Sequence, residues 1–98
     1  MAMTQELWVY WNCNGRDEVS RVHNMGAGGL FLETGVQRAV GTPTKLDFLV
    51  SEGQIRADAV IRHVRPGQGL GVKFTALTEQ DRGKFAVLMR RLRGLAVQ

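Results

Sequence analysis

The stretch Asn24-Met25-Gly26-Ala27-Gly28-Gly29 places three of the chain's twelve glycines in four positions, directly before an apolar run. Glycine-rich turns hold phosphates in two ways: several backbone N–H groups point at one anion, or a helix N-terminus begins behind the turn. A dinucleotide fingerprint built on Gly26 and Gly28 would need glycine at position 31, which is Phe31, and the following residues read as a strand rather than a helix. A Walker loop fails because no Gly-Lys-Ser/Thr follows. A tight turn between two strands remains, as does an anion-binding nest of backbone N–H groups without a helix.

Other chemistry is sparse. The chain has two serines, Ser20 and Ser51, two histidines, His23 and His63, and one cysteine, Cys13. None stands at a catalytic or metal-ligand spacing, so neither an enzyme nor a required cofactor or metal is expected. Cys13 has no partner for an internal disulfide and reads as a packed strand residue, while His63 reads as a rim or packed histidine at a strand end.

The 98 residues are enough for one domain, 44% hydrophobic and 22% charged, without low-complexity tracts. No apolar run approaches the roughly 18 residues of a membrane span, and the start lacks a signal-peptide pattern. A cytoplasmic protein is therefore expected. The net charge is +4, and the basic residues crowd toward the end as Arg82, Lys84, Arg90, Arg91 and Arg93. That cluster is either a solvated helix face or a site for an anionic partner.

The elements around the glycine cluster follow from side-chain periodicity. Residues 6–13 read as a strand, with Leu7, Val9 and Trp11 on one face and Trp8 and Tyr10 on the other. Residues 18–24 and 30–34 are short strands on either side of the glycine turn. Residues 44–50 present Leu46, Phe48 and Val50, residues 54–64 present Ile55, Ala57, Ala59 and Ile61, and residues 70–74 present Leu70, Val72 and Phe74. The period then becomes helical through Phe85, Leu88, Met89, Leu92 and Leu95, behind a Thr78-x-x-Asp81 capping box and with Gly94 as a C-terminal stop. Six strands and one terminal helix predict an antiparallel barrel over about 6–76 with an amphipathic helix over about 78–93.

This order of elements, with "NMGAGGLFLET", "VGTPTKLDFLV" and "GLGVKF", resembles the PilZ domain family of bacterial cyclic di-GMP receptors and adaptors across nearly the whole chain. The resemblance implies a six-stranded PilZ-like β-barrel with a C-terminal α-helix, and cyclic di-GMP as ligand. In the family an Asp/Asn-x-Ser-x-x-Gly motif contacts a guanine and a phosphate. Here Asn24 matches the first position, Gly26 replaces the serine and Gly29 matches the last. The family's Arg-x-x-x-Arg clamp before the first strand has no counterpart, since the first arginine is Arg16, after that strand, and Arg16 and Arg21 have a different spacing. Asn24, Gly26, Gly29, Arg16 and Arg21 are thus the candidate ligand residues, with weak or no cyclic di-GMP binding expected and a protein partner as the output.

A basic single-stranded nucleic-acid binder is the alternative, with Trp8, Tyr10 or Trp11 stacking bases and the arginine-rich helix meeting phosphates. A continuous groove joining aromatic and basic residues would favour it.

Overall fold

The computed structural model describes residues 7–96, with side chains as far as Arg93. Six strands and one helix follow in order: β1 Trp8–Cys13, β2 Arg16–Met25, β3 Gly29–Glu33, β4 Pro43–Phe48, β5 Ile55–Arg65, β6 Gly69–Leu77 and α1 Glu79–Ala96. The strands close an antiparallel barrel in the order β1-β2-β3-β6-β5-β4. The β1–β2 hairpin turns at Asn14 and Gly15, whose φ angles of 55° and 77° are the left-handed pair that a tight two-residue hairpin requires. Arg16 and Asp17 therefore belong to β2, which starts two residues earlier than the strand read from 18–24.

The alternating residues face inward as their spacing demands. Val9, Trp11, Leu46, Phe48, Ile55, Ala57, Ala59, Ile61, Leu70 and Val72 are buried, and Trp8 and Tyr10 stand outside. Trp11 is buried because Ser20 accepts its indole N–H at 2.9 Å, so neither polar group is left unpaired in the interior. Cys13 is a buried free thiol in the same core.

Leu88, Met89 and Leu92 close the core from the helix side. Each contributes about 1.5–3 kcal/mol through removal from water. Phe85 completes an edge-to-face trio with Phe48 and Phe74, at centroid distances of 6.1 and 5.5 Å. Leu95, the last member of the predicted stripe, lies outside the described side chains.

Two details of the helix differ from its sequence reading. Thr78 caps it, its Oγ1 accepting the Asp81 N–H at 3.2 Å. The Asp81 carboxylate, however, does not reach back to complete a capping box; it accepts the Arg56 backbone N–H at 3.2 Å and so ties the helix to β5. The helix also runs through Gly94 to Ala96. The intrahelical bond ladder, anchored by buried Leu92 and by Arg91 on Glu52, outweighs the roughly 1 kcal/mol propensity cost of a glycine. That Arg91–Glu52 contact is two-pronged, with Nη2 donating to Oε1 at 3.0 Å and Nε donating to Oε2. It holds the Glu52 carboxyl below the usual carboxylate range.

Candidate functional site

The glycine cluster sits between β2 and β3, and its geometry comes from an irregularity in their pairing. Val22 faces Leu32 and Met25 faces Leu30, so three steps along β2 match two along β3. This bulge turns two consecutive residues, His23 and Asn24, outward between the inward Val22 and Met25. Asn24 thereby reaches an open cleft of about 780 Å³ on the outer wall of the barrel.

The turn beyond it is closed by the Gly26 N–H donating to the Gly29 C=O at 2.9 Å, and the Phe74 N–H donates to the Gly28 C=O at 2.8 Å. Left-handed backbone occurs at glycines 15, 41, 53 and 67 but at no glycine of this cluster. A nest needs alternating-handed residues with free N–H groups, so the cluster is a tight turn and not a nest. Gly29 is required by close approach, since a Cβ there would stand 2.1 Å from the Val72 carbonyl oxygen; a Cβ at Gly26 or Gly28 would meet nothing.

The cleft is lined by β3, the end of β5 and the β5–β6 turn, with β6 running beside β3. Phe31 points outward from β3, and Gly71 and Gly69 face Phe31 and Glu33 across the ladder. A Cβ on Gly69 would come within 2.5 Å of the Phe31 ring, so the missing side chain is what lets the ring lie over β6. Arg65, at the end of β5, holds its guanidinium carbon 5.4 Å from the Phe31 centroid. Arg65 itself is exposed, so this cation–π contact leaves the guanidinium accessible from the cleft. On the other side His23 and Glu33 share a 2.6 Å hydrogen bond, and Arg21 stands 4.0 Å from the same carboxylate oxygen.

Of the five residues predicted from sequence, Asn24 lines the cleft, Gly26 and Gly29 shape its turn, and Arg21 borders it through Glu33. Arg16 begins β2 beside Cys13, at the opposite end of the strand and on the order of 25 Å from Asn24. His23, Phe31, Glu33, Arg65 and Gln68 also line the cleft and were not among the sequence candidates. The available signal was the Gly67-x-Gly69-x-Gly71 alternation, which clears one face of a strand for a neighbour's side chain.

The aromatic and basic residues of the nucleic-acid reading lie on different elements. Trp11 is sealed in the core, and Trp8 and Tyr10 project from β1, whereas the helix packs mainly on β5. Three of the helix cations are engaged with the barrel or its loops: Arg82 on the Leu77 C=O, Lys84 on the Gln54 C=O and Arg91 on Glu52.

A family model decides the relationship, matching the PilZ domain over residues 4–91. The chain belongs to the PilZ domain family. No curated protein matches it. Among solved structures, this PilZ domain is similar to the PilZ domain of CeSA from a cellulose-synthesising bacterium, at 18% identity and a TM-score of 0.67 over 94% of each chain. It is also similar to K. pneumonia MrkH in its apo state, at 14% identity and a TM-score of 0.74; 98% of this chain matches, but it spans only 50% of the MrkH chain. These likenesses establish the six-stranded barrel with its terminal helix as the PilZ fold. Among the described residues no helix is long and apolar enough to cross a membrane, and no cluster of His, Cys, Asp and Glu is arranged to hold a metal ion.

Proposed function

We propose that this PilZ domain is a non-enzymatic receptor and adaptor module of bacterial cyclic di-GMP signalling, whose own cleft supplies only part of a nucleotide site and whose output is protein contact. The observation that carries the reading is the placement of Asn24, bulged out into a cleft walled by Arg65 on Phe31. A guanine can stack on the open guanidinium face while the N–H edge meets a phosphate, and Asn24 can hydrogen-bond the base or backbone of the ligand.

Three features weaken this site. Gly26 has no hydroxyl to offer, and the Glu33 carboxylate, hydrogen-bonded to His23 and beside Arg21, faces the same cleft as the incoming phosphates. One arginine also cannot replace a pair acting on both sides of a dinucleotide. Binding is therefore weak, and the protein acts chiefly through what it docks against.

A heteronuclear NMR titration with cyclic di-GMP tests this. Shifts in fast exchange centred on Asn24, Phe31, Gly29 and Arg65, saturating only at high nucleotide concentration, are expected. Unperturbed amides at these residues, or turnover of the nucleotide, would contradict the reading.

A further inference from the structure

The basic cluster of the helix is divided in its use. Arg82, Lys84 and Arg91 hold the helix down, but Arg90 and Arg93, one turn apart, are exposed and make no hydrogen bond or ion pair with any described residue. Both border a concavity of about 420 Å³ whose other walls are Ala27, Phe85, Ala86 and Met89. The floor is wholly apolar and the rim carries two guanidinium forks.

We infer that this concavity docks an acidic amphipathic segment of a partner protein, an inference that rests on the adaptor reading above. An apolar side chain of the segment enters against Phe85, Ala86 and Ala27, and carboxylates beside it meet Arg90 and Arg93 in the planar, two-pronged geometry that guanidinium and carboxylate share. A nucleic-acid strand is a poorer occupant. Base stacking needs an open aromatic face, whereas the Phe85 ring is half-buried and meets Phe48 and Phe74 edge-on. Ala27 lies in the turn just after Met25, three residues from Asn24, so the cleft and the docking concavity each draw a lining residue from one short segment.

The test uses a synthetic helical peptide with a leucine stripe flanked by glutamates, its Glu→Gln analogue, and an oligothymidylate. NMR mapping on the whole chain should centre peptide-induced shifts on Ala27, Ala86, Met89, Arg90 and Arg93. The double variant Arg90→Gln/Arg93→Gln should bind the peptide about tenfold more weakly, as should the wild-type chain with the Glu→Gln analogue. Arg62→Gln, which removes an exposed charge from β5, should leave affinity unchanged, and an unaltered melting temperature of the double variant shows that it folds. No saturable peptide binding, shifts centred elsewhere, equal affinity of the double variant, or tighter binding of oligothymidylate to the same residues would each overturn the inference. Cyclic di-GMP shifts at Asn24 and Arg65, measured on the same samples, report on the nucleotide site separately.

Discussion

Arg65 lies over the outward face of Phe31, guanidinium carbon to ring centroid 5.4 Å, and Gly69 makes the arrangement possible by leaving room for the ring. The arginine is thus held beside the ring at the wall of the cleft. Arg65→Ala should reduce cyclic di-GMP affinity by about tenfold or more, on the scale of about 1.5–3 kcal/mol for bonds to charged groups. Arg65→Lys should recover little, because an ammonium has no stacking face. Calorimetry or NMR titration checks both, and equal affinity of Arg65→Ala would exclude a role for this residue.

The glycine turn separates two kinds of glycine. Gly26→Ser should fold with stability within about 0.5 kcal/mol of wild type, since its side chain enters open space. Gly29→Ala should be severely destabilised, because its Cβ would be driven onto the Val72 carbonyl and the β3–β6 ladder would have to part. Urea unfolding of the two variants measures the contrast.

Much of this was legible in the sequence. The period-two pattern names the inward residues of β1, β4, β5 and β6, and the switch after Phe74 to helical spacing names Leu88, Met89 and Leu92. The cleft was legible only at Asn24, Gly26 and Gly29, because those residues are local to one turn. Phe31, Arg65 and Gly69 meet through β3–β6 and β5–β6 pairing, and a single sequence does not state which strands become neighbours when a barrel closes out of chain order. The outward turn of His23 was hidden for a related reason: a bulge shifts the period by one residue, and a short strand offers too few residues to reveal it.

The helix clamp yields a pH prediction. Glu52 has its carboxyl lowered first by the hydrogen bond from Arg91, against the opposing effect of burial. Its folded value lies below the unfolded one, so its stabilisation is fully present above the ordinary carboxylate value of about 4.3 and is lost as pH falls through the depressed folded value. Glu52→Gln should cost about 1.5–3 kcal/mol at neutral pH and progressively less in acid, where the wild type loses the same contribution. Urea unfolding across pH 2 to 7 measures the converging curves.

Tyr10 is the sole tyrosine and hydrogen-bonds Asp17 across the β1–β2 pair, which raises its pKa above the ordinary value. Absorbance titration of the phenol should show a midpoint above about 10 that returns toward it in Asp17→Asn. An unchanged midpoint in the variant would mean that the contact does not persist in solution.

Leu88 and Leu92 are buried against the barrel. Leu88→Asp or Leu92→Asp places an unpaired carboxylate there and should cost more than the 2–5 kcal/mol typical of a leucine-to-alanine change, enough to unfold much of the protein at ambient temperature. Circular dichroism during thermal unfolding reads this directly; variants with wild-type melting temperatures would show that the helix packs elsewhere.

The central proposal, that this cleft forms part of a nucleotide site and binds cyclic di-GMP weakly unless an Arg-x-x-x-Arg segment stands ahead of β1, is tested most directly by one calorimetric series with cyclic di-GMP. It compares the chain as it stands, Gly26→Ser, and the chain with an Arg-x-x-x-Arg segment joined ahead of Glu6. The account predicts weak binding by the first, a gain of no more than about tenfold from the hydroxyl in the second, since a neutral hydrogen bond contributes about 0.5–1.5 kcal/mol, and a much larger gain in the third. Submicromolar binding by the unmodified chain, or full rescue by Gly26→Ser alone, would contradict it.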